Sequence, residues 1–311
     1  MVSGERRTSV IIPVYNTQAY LRDALDSIAA QTRPVKEVII LDDGSREPVR
    51  LPKYYKDLNI RVYRTTNQGL PSARNVAATL CTGEYLALLD SDDAWHPNKI
   101  ALQEEAMLAR PEAPLCFTKI TYIPPQARSY RYPSGCRVQM LRTLWERNYI
   151  FPSTAMIRRS AWLRCGGEES MLWGADDWEL WWRLARLGPF VFIPEPLTYY
   201  RRHPEQMTRK IYKMSLDICR AKPLVRKRAN VLLERIGLHS ECVHQSMREF
   251  ENGFYDYITY HEPRWKALPH LIRGAFKYPS DFHIWKLVLR VLIPDRIVRQ
   301  IRRHIRQESK T

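Results

Sequence analysis

The sequence predicts an α/β fold, a doubly wound and mostly parallel sheet followed by a helical, basic C-terminal region. Apolar runs alternate with segments of helical periodicity between residues 8 and 109, which is typical of βαβ units. Lys and Arg number 25 against 22 Asp and Glu up to Tyr200, but 24 against 11 from Arg201 onward. We therefore expect two units, residues 1–204 and residues 205–311.

The composition excludes several classes of protein. Of the 311 residues, 45% are hydrophobic and 26% are charged, values that exclude a disordered or fibrous chain. The longest apolar stretches, such as residues 288–294, are too short to span a bilayer. The first eight residues are polar and lack the pattern of a secretory leader. We expect a cytoplasmic protein, with peripheral attachment to the inner face of the cell membrane as the alternative.

Three apolar runs predict the central strands, at residues 9–14, 36–41 and 84–89. Their lack of polar alternation indicates burial on both faces, as in parallel sheets. Helical spacing predicts a helix at residues 20–30, between the first two strands, and another at residues 72–80, after Pro71. Together these elements predict a sheet of the nucleotide-binding type, with its ligand at the carboxyl ends of the strands.

The remaining predicted strands and helices do not alternate regularly. A short strand is expected at residues 60–64 and a helix at 98–109, after Pro97. The middle of the chain predicts extended segments at 114–123, 154–157, 190–193 and 197–200, and helices at 137–147 and 178–187. From Glu205 onward we expect helices separated by breaks, the first of them at Pro223.

Polar residues follow each central strand at its carboxyl end. Tyr15 and Asn16 follow the first strand, a DDGS segment at 42–45 follows the second, and a DSDD segment at 90–93 follows the third. Crowded carboxylates repel one another unless a cation neutralises them, and a hard divalent ion is the natural partner. The simpler alternatives are a solvated helix cap at 90–93 and an Asx turn at 42–45.

The loop at residues 67–75 has features of a phosphate site. Gly69 permits close approach of the backbone, and Arg74 lies one turn into the helix that follows. The alternative is that Arg74 lies on an exposed helix face.

Taken together, these loops resemble the amino-terminal half of the family 2 glycosyltransferases, which are inverting enzymes of GT-A fold. Each motif is short, but their order and spacing are specific. They are SVIIPVYN at 9–16, DDGS at 42–45, NQGLPSARN at 67–75, YLALLDSDDAWHPNKI at 85–100, WGADDWELWWRL at 173–184 and PLTYYRRH at 196–203. The resemblance ends at His203, and the last third of the chain carries no such motif.

The resemblance implies a nucleotide-sugar site. Asp42 would contact the nucleobase, Pro13 and Tyr15 would line its pocket, and Asp90 would lie near the ribose. The residues assigned to the donor are Pro13, Tyr15, Asn16, Asp42, Asp43, Gly69, Arg74, Asp90, Ser91 and Asp176.

The same resemblance implies a metal, Mn²⁺ or Mg²⁺, bridging the diphosphate. Asp92 and His203 would be its protein ligands, with Asp90 as a further candidate. The alternative for His203 is a polar residue that caps a basic loop.

Asp177 matches the family's general base. A sugar hydroxyl attacks the anomeric carbon as the nucleotide diphosphate departs from the opposite face, so a base is needed on the acceptor side. One such displacement inverts the anomeric configuration. The alternative is that Asp176 or Asp177 caps the helix that follows.

The implied partners are a nucleotide-diphosphate sugar, with a UDP-sugar favoured, and a saccharide or lipid-linked acceptor, in the synthesis of a cell-surface polysaccharide or glycan. Residues 282–306 separate apolar and basic faces at helical spacing, which predicts contact with an anionic membrane or packing on the catalytic domain. The alternative functions are a nucleotidyltransferase, an inactive nucleotide-sugar-binding protein and, on the charge of the basic C-terminal region, a nucleic-acid-binding protein. The acidic rim argues against the last of these because it would repel a phosphate backbone, so no nucleic-acid partner is expected.

Overall fold

The computed structural model describes residues 5–236, apart from 52–54, 56, 126–129, 134, 205 and 207–210. Between residues 211 and 220 it describes the helical backbone alone. The predicted helix at 282–306 lies outside the described residues.

The first half of the chain forms the parallel part of one sheet. Its elements are β1 (Thr8–Val14), α1 (Gln18–Ala29), β2 (Glu37–Asp42), β3 (Ile60–Arg64), α2 (Leu70–Leu80) and β4 (Tyr85–Leu88). The strands lie in the order β3-β2-β1-β4, and every neighbouring pair is parallel. The predicted βαβ alternation is confirmed, and β3 has the predicted bounds.

The second half extends this sheet. It contains β5 (Ala94–Trp95), α3 (Lys99–Leu108), β6 (Leu115–Ile123), α4 (Arg137–Glu146), a 3₁₀ turn (Pro152–Thr154), β7 (Met156–Arg158), α5 (Arg159–Cys165), α6 (Asp176–Ala185), β8 (Val191–Arg201) and α7 (Ile211–Arg235). The strand order continues β4-β7-β6-β8-β5. In this half only β6 and β8 pair in parallel, so the sheet is mixed.

Alternate residues of the parallel strands feed two cores. Ile11 and Ile39 belong to the core that also contains residues of α2, α6 and α7. Val10 and Val38 belong to the core on the other face, against α1 and α3. Since each strand is buried on both faces, its sequence is apolar throughout.

The predicted gap between the extended segments at 190–193 and 197–200 is wrong. Residues 191–193 and 197–200 belong to one strand, β8. Its register against β6 shifts on either side of Lys119, which lies opposite Pro196. A proline is tolerated at such an irregularity because its missing N–H breaks no regular ladder bond.

The predicted helix break at Pro223 is also wrong, because α7 continues through it. Ala221, Val225 and Ala229 are buried at a spacing of four residues and lie in the same core as α6. This packing outweighs the cost of about 3 kcal/mol for an internal proline. In the described residues, no helix is long and apolar enough to cross a membrane.

Candidate functional site

The loops at the carboxyl ends of β1, β2 and β4 lie together, as predicted. The backbone N–H of Asn16 donates to Ser45 Oγ at 3.0 Å, and Asn16 Oδ1 accepts from the backbone N–H of Arg46 at 2.9 Å. Thr17 Oγ1 and Ser91 Oγ lie 2.6 Å apart, so they share a hydrogen bond. Side chains from three separate loops therefore form one continuous rim.

Asp42 is buried at this rim and holds its own loop. Its carboxylate accepts from the N–H groups of Ser45 at 2.8 Å and Val49 at 3.2 Å, and from Arg64 Nη1 at 3.1 Å. Burial opposes ionisation, but these donors prevail and lower the pKa of Asp42. The nearest of these N–H groups is three residues on, whereas an Asx turn uses the N–H two residues on, so the Asx turn and the nucleobase contact both stay predictions. Of the predicted pocket walls, Pro13 is buried in β1, whereas Tyr15 is half exposed.

Asp43 links the β2 loop to the start of α2. Its two carboxylate oxygens accept from the N–H groups of Gln68 and Gly69, each at 2.8 Å. Gly69 has a φ of 93°, a conformation that side chains with a Cβ disfavour. Asp43 and Gly69 thus shape the loop before α2, and their predicted contacts with the donor stay predictions.

Asp92 and His203 meet at the other side of the rim. His203 Nε2 lies 2.9 Å from Asp92 Oδ2. The neighbouring Asp93 is buried, and its Oδ2 has no hydrogen-bond partner in the described part of the chain. Burial and the charge of Asp90 raise the pKa of Asp92, and burial with the charge of Asp92 raises the pKa of Asp93 well above its usual value.

This donor set fits a hard divalent cation. Within the described part of the chain, no three His, Cys, Asp or Glu side chains are grouped as a complete metal site. Mg²⁺ commonly takes one or two protein ligands and completes its shell with water and substrate phosphates. Asp92 and His203 can supply that share, and a cation would offset the burial and the nearby charge of Asp90 that together raise the pKa of Asp92.

Arg74 is the centre of a buried ion cluster. Its side chain is 1% exposed, and it lies 2.6 Å from Asp90 Oδ1, 3.1 Å from Glu168 Oε1 and 3.5 Å from Asp176 Oδ2. Burial acts to lower the pKa of Arg74, but the three carboxylates raise it. The alternative of an exposed Arg74 is therefore wrong.

A cavity of about 210 Å³ brings Arg74, Asp90, Asp176 and Asp177 together. We refer to it as the Asp177 cavity. Its other walls are Leu70, Trp145, Glu146, Arg147, Asn148, Ile150, Phe151, Pro152, Gly174, Trp178, Tyr200 and Lys222.

The surroundings of Asp177 bring the pKa of its carboxyl group close to neutral pH. Burial, followed by the charge of Asp176, raises the pKa of Asp177 to about 7. Asn148 Nδ2 donates to Asp177 Oδ2 at 2.9 Å and favours the ionised form. Burial also raises the pKa of Asp176, to about 6, although Arg74 opposes the shift. The two carboxyl groups therefore titrate near physiological pH.

Neither carboxylate caps the helix in the predicted way. α6 begins at Asp176, and its N-cap is Ala175, which makes no side-chain cap bond. Asp176 and Asp177 occupy the first turn instead, where negative charge favours the helix dipole. Asp177 Oδ1 accepts from the Trp178 N–H at 2.6 Å. Asp177 Oδ2 accepts from Asn148 Nδ2, so the two oxygens have different partners.

Three residues near Asp177 were not predicted. The sequence does indicate a tight turn just before Glu168, because Gly166 and Gly167 precede it and both have positive φ. A Cβ on Gly167 would lie 2.2 Å from Asn75 Oδ1, so the turn needs glycine there. Asn148 and Lys222 have no comparable signal.

Comparisons with known proteins show which family the chain belongs to. The profile of glycosyl transferase family 2 matches residues 9–165, half of the chain. The chain belongs to this family. TuaG of Bacillus subtilis, provisionally named a teichuronic acid biosynthesis glycosyltransferase, is 38% identical over 114 residues, which is 35% of this chain and 45% of TuaG. The first curated relatives are 30 to 32% identical over 214 residues, and the chain spans only 35 to 61% of their length.

Solved structures confirm the GT-A fold of this family 2 chain. TarS 1–349 of S. aureus in complex with UDP-GlcNAc has a TM-score of 0.58 at 18% identity, covering 92% of this chain and 90% of TarS. The mannosyltransferase PcManGT from Pyrobaculum calidifontis, in complex with GDP-Man and Mn²⁺, has a TM-score of 0.57 at 17% identity, covering 93% and 86%. At 17 and 18% sequence identity, this similarity shows a shared fold and nothing more specific.

Proposed function

We propose that the chain is an inverting glycosyltransferase that moves a hexosyl group from a nucleotide-diphosphate sugar to a hydroxyl of its acceptor. The observation that carries the proposal is Asp177, a half-buried carboxylate in a cavity, with its pKa raised to about 7. A base with a pKa near the operating pH combines the ionised state with a strong tendency to accept a proton. Membership of family 2 makes sugar transfer the matching reaction.

The acceptor hydroxyl would donate its proton to Asp177 as its oxygen attacks the anomeric carbon. The bond from that carbon to the diphosphate oxygen breaks on the opposite face, and the electron pair leaves with the diphosphate. Asn148 holds Asp177 by the 2.9 Å hydrogen bond. Arg74 would hold Asp90 and Asp176, since its guanidinium already pairs with both; this arrangement favours a positioning role over the predicted phosphate contact.

The donor would lie along the rim of the strand-end loops. Asp42 with Pro13 and Tyr15 would face the base, and Asn16, Asp43, Gly69 and Ser91 would shape the path of the ribose and diphosphate. A UDP-sugar is the favoured donor, and the UDP-GlcNAc complex of TarS supports it. The GDP-Man complex of PcManGT supports a GDP-sugar as the next donor to test.

Asp92 and His203 would hold Mn²⁺ or Mg²⁺, with Asp90 as a further ligand. Bound there, the cation would neutralise negative charge on the leaving diphosphate. The Mn²⁺ complex of PcManGT supports this choice.

The acceptor would be a saccharide or a lipid-linked saccharide in cell-surface polysaccharide synthesis. The provisional name of TuaG supports such a pathway. The excess of 24 basic over 11 acidic residues from Arg201 onward supports peripheral contact with an anionic membrane, on the cytoplasmic face.

A donor screen tests the proposal. The full chain is incubated with UDP- and GDP-sugars and Mn²⁺, with a mixture of saccharide acceptors, and release of the nucleoside diphosphate is measured. We expect release from at least one nucleotide sugar. Release of pyrophosphate from a nucleoside triphosphate and a sugar phosphate would instead identify a nucleotidyltransferase, and the absence of both would favour an inactive binding protein.

A further inference from the structure

A second cavity lies next to the Asp177 cavity and is rich in cations. It has a volume of about 410 Å³, and we refer to it as the basic cavity. Its described walls are Trp145, Lys222, Pro223, Arg226, Lys227 and Asn230. Three of these six residues are cationic, and none of them is a carboxylate. Trp145 and Lys222 also line the Asp177 cavity, so the two spaces adjoin.

Two walls of the basic cavity carry hydrogen-bond donors for which the described residues supply no acceptor. These donors, Trp145 Nε1 and Arg226 Nη2, are both buried. Buried donors in folded proteins are nearly always paired, so each such exception needs an explanation. Arg226 carries a full charge, and an oxyanion is the ligand that a guanidinium and an indole N–H could both satisfy.

Five of the six described walls of the basic cavity belong to α7, and ion pairs join α7 to α6, the helix that carries Asp177. Arg228 of α7 donates to Glu179 of α6 at 2.8 Å and to Glu169 at 2.9 Å. Trp145 of α4 packs against Trp178 and Trp182 of α6, with ring centroids 5.8 and 5.7 Å apart. The cations of α7 are thereby fixed beside the helix that carries Asp177.

We propose that the basic cavity binds a phosphate ester of the acceptor and thereby presents the acceptor hydroxyl to Asp177. This inference rests on the proposed function, because it treats the basic cavity as part of the acceptor site. Lys222, Arg226 and Lys227 can neutralise a doubly charged phosphate, and Trp145 supplies an apolar wall and a donor. A cavity of this volume is within the range of ligand sites, with room for part of the group joined to the phosphate.

Direct titration of the full chain tests the inference. Three probes are compared by calorimetry: glycerol 3-phosphate, octyl phosphate and the neutral octyl glucoside. We expect both phosphate esters to bind and octyl glucoside to bind far more weakly. Tighter binding of octyl phosphate would identify a lipid-linked phosphate as the source, and equal affinities would identify a soluble phosphorylated saccharide.

Substitutions locate the binding. Lys222→Gln with Arg226→Gln should weaken binding of the phosphate esters by about tenfold or more, since each hydrogen bond to a charged group is worth about that factor. Arg226→Gln alone, at a half-buried position, provides the same test if the double variant melts early. Arg235→Gln removes the same charge from an exposed position of α7 and should leave the affinity unchanged.

Two results would overturn the inference. One is unchanged affinity in the Arg226→Gln and double variants, and the other is an equal loss in Arg235→Gln. Failure of the wild-type chain to turn over any nucleotide sugar would contradict the proposed function, whereas phosphate binding is measured without a donor. An active enzyme whose variants bind phosphate esters as the wild type does would overturn this inference alone.

Discussion

At the scale of single residues, the protonation of Asp177 decides whether the site can act as a base. Burial and the charge of Asp176 raise the pKa of Asp177 to about 7, while Asn148 opposes the rise. Because the base must be ionised, the turnover number should increase with pH through an inflection near 7 and level off above it. Asp176 titrates close by, so the inflection belongs to the pair.

Variants of Asn148 test this pH dependence. Asn148→Ala removes the donor to Asp177 Oδ2, so the ionised form loses a hydrogen bond and the inflection should move about one unit upward. Asn148→Asp keeps an acceptor for the Ile150 N–H but adds negative charge, and it should move the inflection further. An unchanged pH–rate profile in both variants would remove Asn148 from the control of Asp177.

The proposed metal binding depends most on Asp92. Asp92→Asn removes the carboxylate beside His203 and keeps its size, so the fold should persist while metal-dependent binding of UDP or GDP weakens by at least tenfold. Calorimetry with and without Mn²⁺ measures the effect. Equal affinities in the variant and the wild type under both conditions would exclude Asp92 as a ligand.

At the scale of elements, α7 is fastened to α6 by Arg228. The Arg228 guanidinium pairs with Glu179 and Glu169, and Glu179 is fully buried. Arg228→Gln should lower the free energy of unfolding by about 1–2 kcal/mol, because Arg183 still partners Glu179. Thermal melting measures the change. Arg235→Gln, on the same helix, should melt as the wild type does, and equal melting of both variants would show that the Arg228 pairs contribute nothing.

Elements with local signals were predicted well. The bounds of β3 and the end of α2 at Leu80 agree with the predictions. The signals used for them, apolar periodicity and the position of Pro71, depend only on residues that are close in sequence. α7 was predicted to break because its passage through Pro223 depends on packing against α6. The start of α6 was placed two residues late, since two acidic residues suit both a cap and a first turn.

The site was predicted in the same uneven way. Asp177, Asp92 and His203 were identified through short motifs, and the structure places Asp92 beside His203. Glu168 is 94 positions from Arg74, and a pair so distant leaves no local pattern. The orientation of Arg74 into the protein depends on that partner, so its burial could not be read from its own helix.

At the scale of the whole molecule, the basic C-terminal region is predicted to reach a membrane. Truncation after Ser280 removes the segment at 282–306, with its alternating apolar and basic residues. The shortened chain should lose sedimentation with anionic liposomes while it still hydrolyses the donor. Sedimentation equal to that of the full chain would contradict the membrane contact, and loss of folding would favour packing on the catalytic domain.

The central claim is that Asp177 takes the proton from the acceptor, and the most direct measurement is transfer by Asp177→Asn at saturating donor and acceptor. We expect turnover to fall by about 10²–10⁴-fold, about 3–5 kcal/mol of transition-state stabilisation, with donor affinity unchanged in a separate titration. Glu195→Gln, at an exposed carboxylate of β8, should transfer as the wild type does. Transfer by Asp177→Asn at a rate near that of the wild type would contradict the claim.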